Sequence, residues 1–319
     1  MSSAVLLVVG FVALVGGAEL LVRAGTGLAT WAGIRPMVIG LTVVSIGTSV
    51  PELAIGIDAA TTGSPGLAVG NIVGTNLVNI LLILGLSALI LPIAIERRTL
   101  RFDLPAMTIA SLALFVLALD GNLSKVDGIL LCLGGVAYTW GILRTSRREG
   151  AAVEAAYSDA IVVPRTQRPV RLALGLLVGI AVIVVGAELL VDGAVATAEG
   201  LGISEAVIGL TVVAVGTSAP ELVTTIVSTV RGDRDIAIGN LVGSTIYNIA
   251  IILGLTTLVA PGGIAVPPEI QEADLVLLAV VAVLTVPVFV SGARISRAEG
   301  GVFVVVYVAY VIWLLWTRS

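Results

Sequence analysis

The chain has 319 residues, of which 58% are hydrophobic and 12% are charged, and its formal net charge at pH 7 is −4. A soluble domain does not combine so few charges with so much apolar surface, so the composition indicates a protein with several membrane-spanning helices in a lipid bilayer. The negative charge argues against nucleic-acid binding. The chain has no histidine, which excludes imidazole-based zinc, haem and catalytic-triad sites, and we expect no cofactor.

Ten apolar segments are long enough to cross a bilayer, which requires about 20 residues each. They lie at residues 3–31, 36–61, 66–90, 103–119, 126–145, 170–198, 204–230, 236–260, 273–291 and 299–317. The longest polar interval, 146–169, separates the first five from the last five. We therefore expect two halves, residues 1–145 and 170–319, joined by a linker at 146–169 on the cytoplasmic side.

The two halves repeat each other at a constant offset. The sequence GLTVVSIGTSVPEL at 40–53 recurs as GLTVVAVGTSAPEL at 209–222, and 209 − 40 = 169. Residues 70–79 recur at 239–248 with the same offset, since 239 − 70 = 169. Because each half has an odd number of spans, the second half must enter the membrane from the opposite side. We predict an all-α polytopic membrane protein with ten transmembrane helices in two inverted five-helix repeats, an arrangement typical of secondary transporters.

Basic residues are distributed unevenly between the two sides that these spans define. Of the 17 cations, only Lys125 and Arg318 fall on one side, and all the others fall on the opposite side. Cytoplasmic loops of membrane proteins are enriched in Lys and Arg. We therefore expect the basic side to face the cytoplasm of the cell and both termini to lie outside.

Two glutamates occupy equivalent positions in the middle of the repeated motifs. Glu52 and Glu221 lie in apolar segments, where a carboxylate is costly unless it meets a cation, a proton or a polar partner. On a helix, each glutamate shares a face with two hydroxyl residues three and four positions earlier. These residues are Thr48, Ser49, Thr217 and Ser218. A buried protonated acid or a structural pair is the alternative, but the duplication favours a functional site.

A proline precedes each glutamate and is expected to break the helix. Pro51 and Pro220 lack an N–H and clash with the carbonyl groups four residues earlier, those of Gly47 and Gly216. We therefore expect free backbone carbonyl groups around Ser45–Thr48 and Ala214–Thr217. The third and eighth spans each add two polar residues spaced four apart on one face. These are Thr75, Asn79, Ser244 and Asn248. Carboxylate, hydroxyl, amide and carbonyl oxygens together suit hard cations such as Ca²⁺ and Na⁺.

Other duplicated polar residues have simpler explanations. Lone Ser, Thr or Asn residues within a membrane more often bond a neighbouring helix than a substrate. We assign that role to Thr42, Thr211, Asn71 and Asn240. Glu19 and its equivalent Glu188 lack nearby hydroxyl groups, and for these two residues helix packing and function both remain open.

The doubled pattern of Gly-Thr-Ser-x-Pro-Glu followed by Gly-Asn-x-x-Gly-Ser/Thr and a later Asn resembles the two α-repeats of the cation/Ca²⁺ exchanger superfamily. The Na⁺/Ca²⁺ exchanger branch is the most similar, and the resemblance covers essentially the whole chain. It implies a central ion site made by the second, third, seventh and eighth spans. In that site Glu52 and Glu221 would bind Ca²⁺, and the surrounding hydroxyl and amide residues named above would complete the Na⁺ and Ca²⁺ sites. Asn248 departs from some relatives that carry Asp, which leaves two carboxylates.

The resemblance implies a Na⁺/Ca²⁺ antiporter, not an enzyme, that works by alternating access and functions as a monomer. The glycine-bearing first and sixth spans are candidates for the moving gate. An H⁺/Ca²⁺ antiporter on the same fold is the alternative. Proline before both glutamates and the lack of histidine favour Na⁺ as the coupling ion. A cation channel is less compatible with two inverted copies in one chain.

Overall fold

The computed structural model describes residues 2–62, 65–157, 169–200 and 214–318, and these are almost entirely helical. The helices of the first half are α1 (Ser3–Ala32), α2 (Pro36–Thr48), α3 (Val50–Thr61), α4 (Gly66–Ile90), α5 (Thr99–Leu117) and α6 (Lys125–Tyr157). Those of the second half are α7 (Pro169–Gly200), α8 (Ala214–Thr217), α9 (Ala219–Arg231), α10 (Arg234–Val259), α11 (Ile270–Ala293) and α12 (Arg297–Arg318). Four short strands complete the described part: β1 (Ile93–Ala94), β2 (Asn122–Leu123), β3 (Ile264–Ala265) and β4 (Arg294–Ile295).

Most of the predicted spans are present as single helices. Among the described residues, eight helices are long and apolar enough to cross a membrane, and α2 with α3 forms a ninth span that is bent by 40°. The predicted span at 204–230 begins outside the described residues, and α8 and α9 are its described part. Helices α5 and α11 begin a few residues before the predicted 103 and 273. Each opens with a π-helical turn, which the apolar pattern does not reveal.

The predicted linker at 146–169 is partly helical. Helix α6 continues to Tyr157, beyond its membrane-length part Lys125–Thr145, and α7 begins at Pro169. The polar composition of this interval marks the end of the apolar segment but not the end of the helix, because Arg, Glu and Ala, which are frequent at 146–157, are good helix formers.

Two small strand pairs show that the repeats are inverted. β1 pairs with β4 and β2 pairs with β3, so each pair joins the two halves. β1 and β2 lie at the two ends of α5, and β4 and β3 lie at the two ends of α11. Helix α5 therefore runs from the β1–β4 end to the β2–β3 end, while α11 runs the other way. Since α5 and α11 are the equivalent fourth spans, the halves have opposite orientations, as predicted.

Helices α1 and α7 pack backbone to backbone. A Cβ atom added to Gly10 would lie 2.6 Å from the backbone nitrogen of Leu190, and one added to Gly186 would lie 2.8 Å from that of Leu14. Small residues allow such close approach between membrane helices. The two long equivalent helices thus form one tightly packed pair.

Helices α4 and α10 form the centre of the protein, and α10 is the most buried, with 94% of its span inside the protein. Glycines bring α2 against α10. A Cβ atom on Gly239 would lie 2.8 Å from the carbonyl oxygen of Met37, and one on Gly243 would lie 2.8 Å from that of Leu41. Gly239 and Gly243 thus form a small-residue face on α10 that lets α2 approach closely. This close approach also places polar side chains of α2 next to those of α10.

Candidate functional site

The helix breaks predicted from the two prolines are present in both halves. Helix α2 is followed by Ser49 before α3, and α8 is followed by Ser218 before α9. The backbone angles of the two serines are nearly identical, with φ −87° and ψ 11° at Ser49 and φ −87° and ψ 7° at Ser218. Pro51 lies in the first turn of α3 and Pro220 in the first turn of α9. Backbone N–H groups in the first turn have no carbonyl partner within the helix, so proline costs no hydrogen bond there.

Both site glutamates are completely buried, and both lie in the first turn of a helix, Glu52 in α3 and Glu221 in α9. The positive end of the helix dipole favours a carboxylate at that position. Ser49, three residues before Glu52, donates to Glu221 at 3.2 Å, which brings the two helix starts together. Within the described residues, both oxygens of Glu52 and Oε2 of Glu221 have no hydrogen-bond partner. Two buried carboxylates are costly without neutralisation, so this arrangement suits a cation.

Hydroxyl groups from α2 and α10 surround Glu221. The Ser49 hydroxyl donates to Glu221 Oε1 at 3.2 Å, a contact between the two halves. The hydroxyl oxygens of Thr48 and Ser244 lie 3.4 Å apart, and both are within reach of the Glu221 carboxylate. Side chains from both halves therefore converge on one carboxylate.

The sequence predicts free carbonyl groups around Ser45–Thr48, and for Ser45 this prediction is wrong, because its carbonyl group is not free. It accepts the N–H of Ser49 at 3.2 Å, the hydroxyl of Thr48 at 3.3 Å and the hydroxyl of Ser244 at 3.5 Å. The helical hydrogen bonds of α2 continue up to the break at Ser49, so this carbonyl keeps its usual partner. It lies beside the hydroxyl groups of Thr48 and Ser244.

Asn79 and Asn248 lie in equivalent π-helical turns, Val78–Ile83 and Asn248–Leu253. Both side chains are fully buried, and neither amide has a hydrogen-bond partner within the described ranges. Single π-helical turns within α-helices are frequent at functional sites. Thr75 and Ser244, about one turn earlier on α4 and α10, are also buried.

The structure describes the surroundings of the predicted hydroxyl residues less fully in the second half than in the first. Ser218 is fully buried, and its hydroxyl has no hydrogen-bond partner in the described part of the chain. Thr217 is half-buried at the end of α8, and Ala214 is the first residue of that helix. Thr211, assigned to packing from the sequence, lies outside the described residues.

The residues assigned to helix packing differ where they are described. Asn240 bonds other helices and Thr42 bonds within its own helix, whereas the Asn71 amide nitrogen is buried without a hydrogen-bond partner among the described residues. The Thr42 hydroxyl donates to the carbonyl of Val38 at 2.6 Å, and the Asn240 amide bonds Thr48 and Thr225 at 3.2 Å each.

Glu19 forms ion pairs with Arg23 at 2.5 Å and with Arg231 of α9. It therefore ties α1 to α9 and lies outside the oxygen cluster. Glu188, its equivalent, is exposed on α7.

Three buried polar residues near the site were not singled out from the sequence. Asn76 lies between Thr75 and Asn79, and neither amide atom has a partner among the described residues. Thr224 and Ser228 follow Glu221 by three and seven positions. That helical spacing was visible in the sequence and would have found both.

Inverted repeats around a buried polar centre define the class of this protein as an integral membrane transporter. The sequence profile of the family described as "Sodium/calcium exchanger protein" matches residues 2–143 and 171–316. The chain therefore belongs to the sodium/calcium exchanger family, as the doubled motif predicted, and it is a transporter rather than an enzyme.

Named relatives cover nearly the whole chain. It is 37% identical to inner membrane protein YrbG of Escherichia coli strain K12, over 97% of this chain and 94% of that protein. It is 34% identical to sodium/calcium exchanger MaX1 of Methanosarcina acetivorans, over 98% of each. Its structure is similar to that of the sodium/calcium exchanger from Methanococcus jannaschii, with a TM-score of 0.83, 29% identity and 97% of each chain covered.

Proposed function

We propose that this protein is a secondary-active antiporter that exchanges Ca²⁺ for Na⁺ across the membrane by alternating access. One observation carries the proposal. Glu52 and Glu221 come from opposite halves, lie at equivalent helix breaks, are completely buried and leave carboxylate oxygens without protein partners among the described residues. The family relationship to proteins named sodium/calcium exchangers supports the same ions.

The proposed ligands are oxygen atoms only. They belong to Glu52, Glu221, Thr48, Ser49, Thr217, Ser218, Thr75, Ser244, Asn79 and Asn248, with backbone carbonyl groups near Ser45 and Ala214. Ca²⁺ accepts irregular oxygen cages, whereas Mg²⁺ requires near-octahedral geometry and loses water reluctantly. One Ca²⁺ neutralises two carboxylates, and Na⁺ competing for the same oxygens would couple the two fluxes.

The proposed motion uses the α1–α7 pair. These helices pack backbone to backbone through glycines and can therefore move as a unit against the central helices α4 and α10. One monomer contains both halves of the site, so we propose that the monomer is the transporting unit. Residues 1–145 and 170–319 would be the two halves, with 146–169 as a cytoplasmic linker and both termini outside the cell membrane.

The test is uptake of ⁴⁵Ca²⁺ into proteoliposomes loaded with Na⁺, compared with liposomes that carry only a pH gradient. We expect uptake to require internal Na⁺, to vanish in Glu52→Gln and to persist in Glu188→Gln, which removes a duplicated glutamate outside the site. Uptake driven only by the pH gradient would indicate an H⁺/Ca²⁺ antiporter instead. Normal uptake by Glu52→Gln would refute the proposed site.

A further inference from the structure

A stripe of buried hydroxyl residues extends along α9 from the site towards one face of the membrane. Thr224, Thr225 and Ser228 follow Glu221 by three, four and seven positions, so they share its helix face, and all are 0% exposed. At 1.5 Å per residue, Ser228 lies about 10 Å along the helix from Glu221. The stripe therefore points towards Arg231, at the end of the helix on the basic face.

The hydroxyl groups at two positions of this stripe have no hydrogen-bond partner in the described structure, those of Thr224 and Ser228. Other buried hydroxyls on these helices donate to the carbonyl four residues earlier, over 2.7–3.0 Å. Examples are Thr229, Thr245, Thr256, Thr257 and Thr285. An unpaired buried hydroxyl is unfavourable, so these two groups suit a ligand that supplies the missing interaction.

The internal duplication shows that the fold does not require hydroxyls at these positions. At an offset of 169, the equivalent of Thr224 is Ile55 and that of Ser228 is Ala59, because 224 − 169 = 55 and 228 − 169 = 59. In the first half these positions hold apolar side chains, of which Ile55 is half-buried and Ala59 is buried. The hydroxyl stripe is thus particular to the half that leads to the basic face.

A second helix adds to the stripe. Helix α9 packs against the last turns of α4, where the Ser87 hydroxyl is buried without a partner in the described ranges. The residues at the equivalent positions in the other half are Thr256 for Ser87 and Gly56 for Thr225. These two residues are in contact, because a Cβ atom on Gly56 would lie 2.7 Å from the Thr256 hydroxyl oxygen. From the same symmetry, we infer that Ser87 faces Thr225.

We propose that Thr224, Thr225, Ser228 and Ser87 form a relay site for Na⁺ between the central site and the basic face. This inference rests on the proposed Na⁺/Ca²⁺ exchange and adds a second, transient cation position to it. The ligands are neutral hydroxyl oxygens without a carboxylate. Such a set stabilises a monovalent cation that has lost part of its water shell, whereas high-affinity Ca²⁺ sites are built with carboxylates.

The experiment measures Na⁺-dependent ⁴⁵Ca²⁺ exchange in right-side-out and inside-out vesicles, with Na⁺ offered on one face at a time. The double variant T224V/S228A removes both unpaired hydroxyls and copies the apolar character of the first half. The matched control is T229V, because the Thr229 hydroxyl already donates to the carbonyl of Thr225 at 2.8 Å.

We expect T224V/S228A to raise the half-saturating Na⁺ concentration at the basic face about fivefold, the effect of losing one or two neutral ligands. For this double variant, the half-saturating concentrations of Na⁺ at the opposite face and of Ca²⁺ should stay as in the wild type. The T229V variant should match the wild type in all of these concentrations. A double variant that matches T229V, or that changes equally at both faces, would overturn the relay site alone. If the wild type shows no Na⁺-dependent exchange, both the proposed function and the relay site are overturned.

Discussion

At the scale of single residues, the two site glutamates are not equivalent although their positions are. Glu221 accepts a hydrogen bond from Ser49 at 3.2 Å and has Thr48 and Ser244 nearby, whereas the Glu52 carboxylate has no such partner in the described structure. The hydroxyl bond holds Glu221 in one orientation, ready for the proposed ion. Glu52 is freer to rotate, so we expect it to adjust to the size of the bound cation.

The Ser49→Ala variant tests this orientation. It removes the donor to Glu221, and hydrogen bonds to charged groups contribute about 1.5–3 kcal/mol, so we expect Ca²⁺ affinity to fall about tenfold or more. The measurement is the half-saturating Ca²⁺ concentration for uptake. Ser111→Ala is the control, because the buried Ser111 hydroxyl only donates to the Met107 carbonyl of its own helix, at 3.0 Å. Equal affinities for the two variants would contradict a role for Ser49 at the site.

At the scale of elements, the α1–α7 pair depends on which glycines face the partner helix. A Cβ on Gly17 would lie 2.9 Å from the backbone nitrogen of Ile183, whereas a Cβ on the neighbouring Gly16 would have no atom within 4 Å. The pair is also tied to α9 at one end through Glu19 and Arg231. In the other half the position equivalent to Arg231 is Thr62, since 231 − 169 = 62. That half therefore has no arginine at this position to form an equivalent ion pair.

We expect Gly17→Ala to destabilise the protein by about 1–3 kcal/mol, the usual cost of overpacking a close contact, and to slow exchange by separating the two helices. Thermal unfolding in detergent and the maximal exchange rate are the measurements. Gly16→Ala should leave both unchanged, since its added methyl group meets open space. If the two variants behave alike, the glycine contact does not control the packing of α1 against α7.

At the scale of the whole molecule, the strand pairs β1–β4 and β2–β3 define two opposite faces. Basic residues cluster at the β1–β4 face, including Arg97, Arg98, Arg294 and Arg297. Lys125 lies at the other face, just after β2. This asymmetry is superimposed on a nearly symmetric helical framework. We expect this asymmetry to set the orientation in the membrane, because basic segments are retained on the cytoplasmic side.

We therefore expect a cysteine at Arg97 to be labelled only from inside the cell and a cysteine at Ser2 only from outside. The experiment uses a membrane-impermeant maleimide on intact cells and on inverted vesicles. A background in which Cys132, the single native cysteine, is replaced by alanine keeps the readout specific, and that background without new cysteines is the control. The reverse labelling pattern would invert the proposed topology.

Much of the fold was predictable because its signals are local or repeated. Apolar length located the spans, and the offset of 169 residues identified the halves. The odd number of spans per half required their inversion. The motif around Glu52 and Glu221 predicted the family and the helix breaks, since proline acts on its own helix.

Only the tertiary structure decided how the oxygens are distributed. Whether the Ser49 hydroxyl reaches Glu221 at 3.2 Å, and whether Gly239 lets α2 approach α10, depends on contacts between residues far apart in the chain. The π-helical turns at Asn79 and Asn248 and the bonded carbonyl of Ser45 likewise follow from packing. Composition and periodicity determine which segments enter the membrane, whereas the distance between two side chains is set by helix contacts that no local pattern encodes.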